Sequence, residues 1–377
     1  MRRIIYMLIS SVCILLLQAC GAGNSKSADA IVAPPIATAA RIEVPPNPNE
    51  EWVLVAPDEV GMDGSLLARA LTDLPAAATH GLASMLVLRQ GKPVFEQYWN
   101  GYHKDMLHDL RSATKSITAL LVGAAIDQHF LSGVDEPLSA RLAKLYPDAP
   151  GLKQGITLEH VLTMSTGLSC DDRNPDSPGN EDKMYKSADW VRYLLYLSQA
   201  AAPGTATHYC TGGAVALGRV IAEASRSSIP EFSKKFLLAP LGISNVQWAD
   251  FDHQQQTDTG GHLQMRPRDL AKLGQLMIQK GSWKGNQLLS AAWVNTVSSQ
   301  HVLIDNGWKY GYLWWLRLEP YKGKKLMMHF AWGNGGQYLF IIPELELVVV
   351  FTGENYNSDK AERPFTILEQ YILPSIL

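Results

Sequence analysis

Ser112-Ala113-Thr114-Lys115 places a hydroxyl and an amine three residues apart at the head of an apolar-periodic segment. From Ser112 onward, Ile117, Leu120, Leu121, Ala124, Ala125 and Phe130 recur mostly at three- and four-residue spacing, which predicts a buried helix over about 112–129. Residues at i and i+3 share a helix face, with Cβ atoms about 5–6 Å apart, so both side chains are expected in one pocket. A serine in the first turn also meets unpaired backbone N–H groups and the positive end of the helix dipole. Those surroundings suit an alkoxide or an oxyanion. A serine that only caps the helix would read the same way, so the pair needs support from elsewhere in the chain.

A serine nucleophile needs a base. The chain has no Gly-x-Ser-x-Gly elbow, and no local arrangement marks a Ser-His-Asp triad. Lys115 is the nearest candidate base and Tyr209 the next.

The elements that must position these groups follow from the pattern around them. Asp63 to Leu74 reads as an amphipathic helix with Asp63 as N-cap. Ser84 to Leu88 and Pro93 to Trp99 are β-rich runs joined at Gln90-Gly91-Lys92, a hairpin. Near the other end, Tyr310 to Leu318, Lys325 to Ala331, Gln337 to Ile342 and Glu346 to Phe351 are strand candidates, and Glu362 to Ile372 is a closing helix. The sequence between is mostly helical, including Trp190 to Leu197, Gly213 to Ala224 and Arg268 to Gln279. Strands at both ends with helices between them predict an α+β fold. One antiparallel sheet is formed by both chain ends with flanking helices, plus an all-helical insertion. The α/β part covers about 51–111 and 285–377, the helical part about 112–284, and the cleft between them is the expected pocket.

With 377 residues, 46% hydrophobic, 18% charged and a formal charge of −3, the chain can bury a large core. Its scattered Lys and Arg form no basic stripe, which excludes nucleic acid as a partner. Arg2 and Arg3 precede an apolar run, Ile4 to Leu17, shorter than the ~20 residues that span a bilayer. This reads as a signal peptide, and Leu17-Gln18-Ala19-Cys20-Gly21 resembles a bacterial lipobox with Cys20 as the lipidated residue. The expected layout is therefore signal 1–19, an Ala/Pro/Ser-rich disordered tether over 20–50 and a folded domain over 51–377. Membrane contact would be through the N-terminal lipid alone, on an exported protein at the outer membrane facing the periplasm. A plain secretory signal is the alternative. Cys13 leaves with the signal, so Cys170 and Cys210 remain in an oxidising compartment and are expected to form a disulfide, with two buried free thiols as the alternative. No His-Glu-x-x-His helix accompanies them, and neither metal nor cofactor is expected.

Several ordered motifs carry a resemblance. Arg111-Ser112-Ala113-Thr114-Lys115-Ser116-Ile117-Thr118, Leu162-Thr163-Met164-Ser165-Thr166-Gly167-Leu168, Pro203-Gly204, Tyr209-Cys210-Thr211-Gly212-Gly213, Gly260-Gly261, Arg268-Asp269-Leu270-Ala271-Lys272 and Gly333-Asn334-Gly335-Gly336-Gln337 occur in that order. The chain thereby resembles the serine β-lactamase and penicillin-binding-protein superfamily over roughly 51–377. It is most similar to the class C-like esterases and 6-aminohexanoate-dimer hydrolases.

The resemblance implies that Ser112 is the nucleophile, Lys115 its partner, and Tyr209 the tyrosine that assists proton transfer. It also places the third family motif, Lys-Thr-Gly or a relative, at Ala331-Trp332-Gly333, where the N–H of Asn334 would pair with that of Ser112 as an oxyanion hole. Trp332, Gly333 and Thr211 would then line the substrate site. Two departures bear on substrate. Ala331 stands where the family's lysine helps hold a substrate carboxylate, and Thr211 where an asparagine helps hold the substrate amide. Both favour a neutral ester or small amide over penicillins and cell-wall peptides. Trp308, Tyr310, Tyr312, Trp314, Trp315 and Trp332 would suit an apolar acyl group, at least half of them serving as core instead, with Trp314 and Trp315 on opposite faces of one strand. The loop Asp171-Asp172-Arg173-Asn174 is expected near the pocket, where it would set polarity, with an ordinary solvated loop as the favoured alternative. The expected function is a serine hydrolase acting through an acyl-enzyme on a small-molecule ester or amide. A β-lactamase or D,D-peptidase is the alternative within the same chemistry. A non-catalytic cell-envelope binding protein is the alternative from another class, against which the intact Ser112, Lys115 and Tyr209 speak.

Overall fold

The computed structural model describes residues 52–72, 81–249, 251–305 and 307–377. The signal peptide, Cys20 and the tether lie outside the described residues, as does the end of the helix expected to reach Leu74. That helix spans Gly64–Thr72, and the Asp63 carboxylate accepts the Ser65 N–H at 2.8 Å, the capping role its position suggests.

Thirteen strands occur among the described residues: β1 Leu82–Arg89, β2 Lys92–Tyr98, β3 His108–Asp109, β4 Val246–Trp248, β5 Leu263–Met265, β6 Ser282–Trp283, β7 Asn286–Gln287, β8 Val302–Ile304, β9 Trp308–Tyr310, β10 Trp315–Tyr321, β11 Lys324–Gly333, β12 Gln337–Ile342 and β13 Leu347–Gly353. Eight build the main sheet in the order β2-β1-β13-β12-β11-β10-β9-β8, every pairing antiparallel. N-terminal strands thus sit beside C-terminal ones, as the bracketing pattern predicts. All residues of β12 and β13 are buried. Strands covered on both faces carry continuous apolar runs rather than alternation, and Val348-Val349-Val350 supplies the β-branched side chains that suit them. Between β1 and β2, Gln90 and Gly91 take φ of 52° and 75°, the left-handed pair of a tight hairpin turn.

Ala113–Asp127 is one helix, buried from Ala113 through Ala125. Small residues let its neighbours approach. A Cβ on Gly123 would lie 2.0 Å from Trp293 Cδ1, and the Trp293 indole donates to the Ala119 carbonyl at 3.1 Å. A second helix, Thr211–Ser225, is tied to the first through Thr259. The Thr118 hydroxyl donates to the Thr259 carbonyl at 2.7 Å, and the Thr259 hydroxyl to that of Ala214 at 2.8 Å.

Three expectations need correction. The insertion is not all-helical, because β4 and β5 join β3 in a three-stranded sheet. Strands of two or three residues are too short to show alternation. The run Tyr310 to Leu318 is two strands, not one. The chain turns at Gly311–Trp314, where the Gly311 N–H bonds the Trp314 carbonyl at 2.8 Å and Leu313 takes a φ of 58°. As a result β9 and β10 pair with each other, and Trp314 and Trp315 are both buried. The closing helix is also irregular, an α-helical turn Arg363–Ile367 followed by a wider one, Leu368–Ile372. Phe365 packs against Phe330, Tyr338 and Phe340.

Candidate active site

The site begins where β3 ends. The pairs His108↔Met265 and Asp109↔Gln264 set residues 110–115 alongside residues 258–263. The Asp109 carboxylate accepts the Arg111 N–H at 2.8 Å and the His262 ring at 2.9 Å. Arg111 takes the left-handed region, with φ of 50°, rare for a side chain of this size. That turn delivers Ser112 to the head of the helix.

The lysine reaches the serine. Lys115 Nζ donates to Ser112 Oγ at 3.0 Å and to the Gly260 carbonyl at 2.7 Å, and lies 4.9 Å from the centre of the Tyr209 ring. Lys115 is 1% exposed. Burial works against its charge, but Tyr209, Glu181, Asp172 and Asp258 outweigh it, and its pKa is raised. Asp258 supports the same corner. It is fully buried, accepts the Gly260 and Gly261 N–H groups at 2.8 Å each, and takes the Tyr185 hydroxyl at 2.8 Å. Burial raises its pKa.

Tyr209 lies in the non-helical stretch just before Thr211. Its ring stacks on Trp315 at 5.7 Å, and the Arg173 guanidinium sits 5.1 Å from its centre. A disulfide joins Cys170 to Cys210, the residue after it, with Cα atoms 5.5 Å apart. The segment Leu162–Leu168 braces this stretch. The Met164 carbonyl accepts the His208 N–H at 2.9 Å, and the Ser165 carbonyl that of Gly204 at 2.8 Å.

The end of β11 forms the opposite wall. A Cβ on Gly333 would sit 2.1 Å from the Leu110 carbonyl oxygen and 3.1 Å from the Ala113 nitrogen, so its backbone runs directly against the head of the helix. Asn334 is exposed. Its side chain exchanges hydrogen bonds with Asn357, donating at 2.8 Å and accepting at 2.9 Å. Gln337 secures the turn from below, bonding the Asn334 carbonyl at 3.2 Å and the Gly353 N–H at 3.0 Å. Ala331 is buried. Trp332 is half-buried, stacked on Tyr338, and lies 5.4 Å from the Arg173 guanidinium. Of the six aromatics expected near the rim, Tyr310, Tyr312, Trp314 and Trp315 are core, and Trp308 and Trp332 are half-buried.

Thr211 is fully buried. Its N–H goes to Asp172 Oδ2 at 2.6 Å and its hydroxyl to Glu181 Oε2 at 2.8 Å, so these groups are committed to protein partners rather than turned to a substrate. Glu181, Asp258 and the Gly260 carbonyl are the site residues that sequence reasoning assigned no role. Gly260-Gly261 and Asp172 were visible as motif and loop, whereas nothing marked Glu181 and Asp258. Among the described residues no group of three or more His, Cys, Asp or Glu could hold a metal.

Ser112, Lys115 and Tyr209 thus cluster where the antiparallel sheet meets the helical layer. The chain belongs to the Beta-lactamase family, whose model matches residues 67–371, and it is a hydrolase. It is similar to the 6-aminohexanoate-dimer hydrolase of Paenarthrobacter ureafaciens, with 23% identity over 288 residues, 71% of each chain. Among solved structures, a family VIII carboxylesterase superposes with a TM-score of 0.65 at 15% identity, covering 85% of this chain and 98% of that one. A penicillin-binding protein from Bacillus halodurans superposes with a TM-score of 0.63 at 17% identity, covering 80% and 99%.

Proposed function

We propose that the protein is a serine hydrolase that forms an acyl-enzyme at Ser112 and acts on a carboxylic ester or small amide. The contact of Lys115 Nζ with Ser112 Oγ, at 3.0 Å beneath the Tyr209 ring, carries this reading. As Oγ attacks the carbonyl carbon, its proton passes to the Lys115–Tyr209 pair, the lysine lying 4.9 Å from the centre of the tyrosine ring. The backbone N–H groups of Ser112 and Asn334 hold the oxyanion, a contribution of several kcal/mol. The tetrahedral intermediate then expels the alcohol or amine, which takes the proton. Water, deprotonated by the same pair, releases the acid and restores Ser112.

Substrate preference follows from the wall of the pocket. Ala331 is apolar and buried, and Thr211 is bonded to Asp172 and Glu181, so neither supplies the grip on a carboxylate or amide that a penicillin or cell-wall peptide would use. The proposal extends to export, with 1–19 as signal, Cys20 lipidated at the outer membrane facing the periplasm, 20–50 as tether and 51–377 as the folded domain. The Cys170–Cys210 disulfide supports an oxidising compartment.

Turnover of p-nitrophenyl butyrate, labelling by a fluorophosphonate probe and turnover of nitrocefin test the reading together. Ester turnover and labelling are both expected to vanish in Ser112→Ala. Full activity in that variant refutes the mechanism. Rapid nitrocefin hydrolysis would replace the ester reading with a β-lactamase.

A further inference from the structure

Tyr209 belongs to no helix or strand, so its position depends on what holds residues 209–211. Asp172 does so from both sides. Its N–H donates to the Tyr209 carbonyl at 2.8 Å, and its Oδ2 accepts the N–H of Thr211, the first residue of the helix Thr211–Ser225, at 2.6 Å. Its other oxygen, Oδ1, accepts the Glu181 N–H at 2.8 Å. Glu181 closes the ring through the Thr211 hydroxyl, accepted at 2.8 Å. One partly buried carboxylate therefore joins the loop after Cys170, the start of a short helix and the residues on either side of Cys210.

The same groups face the lysine. Asp172, Glu181 and Asp258 all act on Lys115, together with Tyr209. Around the acids stand Tyr185, which feels all three of them, and Arg173, which feels Asp172 and Asp305.

We propose that Asp172, backed by Glu181 through Thr211, is a positioning residue for the Lys115–Tyr209 pair, fixing the tyrosine's backbone and keeping the lysine charged. This rests on the serine-hydrolase reading above. A carboxylate accepting two backbone N–H groups is a charge-assisted anchor, roughly twice as strong as a neutral one. Burial and the Glu181 charge lift the Asp172 pKa to about 6, against the pull of Lys115 and Thr211. Below that value Asp172 takes a proton, its hold on Thr211 weakens, and activity falls. His262 joins Lys115 and Asp258 among the groups at this site with a raised pKa, burial being outweighed there by Asp109.

The test compares full-length wild type with Asp172→Asn, Glu181→Gln and His262→Gln on p-nitrophenyl butyrate from pH 5 to 8. Melting temperature and thiol titration confirm fold and disulfide. Displacement of a reacting group by about 1 Å costs on the order of 10²-fold, so Asp172→Asn should lower kcat about 10- to 100-fold, leave KM within about twofold, and lose the acid limb near pH 6. Glu181→Gln, which removes a like charge, should move that limb to lower pH, and His262→Gln should keep it. Folded Asp172→Asn with wild-type kcat and limb overturns the proposal, as does a loss confined to KM or a limb abolished only in His262→Gln. If Asp172→Asn does not fold, the Glu181→Gln profile decides alone, and an unmoved limb refutes the pair. Ser112→Ala, run alongside, separates the two readings. An inert Ser112→Ala beside an unaffected Asp172→Asn sinks only this one.

Discussion

Gly333 meets Leu110 so closely that a Cβ at position 333 would lie 2.1 Å from the Leu110 carbonyl oxygen. The contact joins the end of β11 to the turn that carries Ser112. Both proposed oxyanion donors, the N–H groups of Ser112 and Asn334, depend on that spacing.

Gly333→Ala must therefore separate strand from helix. Loss of one oxyanion donor costs about 10²–10³ in kcat, and a loss of that order is expected with p-nitrophenyl butyrate while the protein remains folded. A folded Gly333→Ala variant with unchanged kcat would show that this contact does not set the oxyanion geometry.

Lys115→Met removes the charge at similar volume. It deprives Ser112 Oγ and the Gly260 carbonyl of their donor and leaves Asp172, Glu181 and Asp258 without the cation they face. General acid–base groups contribute about 10²–10⁴-fold, and a fall in kcat/KM within or above that range is expected. The pH dependence carries a definite sign. Because the folded Lys115 pKa is raised above 10.5, its stabilisation is complete below the unfolded value and is lost only as pH rises through the higher folded one. Urea midpoints of wild type measured from pH 8 to 10 should show no loss attributable to Lys115, and a wild-type decline in that window that Lys115→Met lacks would contradict the assignment.

The Ser112–Lys115 pairing was legible in sequence because it is local. A helix places i and i+3 together whatever else the chain does. The buried strands were legible for a related reason, since β-branched runs such as Val348-Val349-Val350 have few other uses. Gly260, Asp258 and Glu181 were not legible as site residues, because what makes them so is contact across the fold. Gly260 meets a lysine 145 positions away, and β3 and β5, which align the two segments, are too short to leave a pattern. The turn at Gly311–Trp314 hid behind aromatic residues with high β propensity. Its left-handed residue is Leu313 rather than a glycine, so only Gly311 hinted at the break.

Gly123→Ala tests the packing beneath the site. Its Cβ would fall 2.0 Å from Trp293 Cδ1 and Nε1, and Trp293 is held in place by its bond to the Ala119 carbonyl. Overpacking of this kind typically costs about 1–3 kcal/mol. A lower urea midpoint by that amount is expected, with kcat less affected than stability. An unchanged midpoint would mean that the indole has room to move.

Cys170→Ser/Cys210→Ser separates two anchors of Tyr209. The disulfide spans 40 positions, and in the chain-entropy model closing such a loop stabilises the fold by roughly 4 kcal/mol. The double variant should lose stability of that order, read from urea unfolding beside wild type with and without reductant. Its activity at 25 °C should fall less steeply than that of Asp172→Asn, because Asp172 still holds the Tyr209 carbonyl and the Thr211 N–H. If the disulfide were the main anchor, the order would reverse. The cysteine variant would then lose kcat at full occupancy of the folded state, and adding reductant to wild type would reproduce that loss.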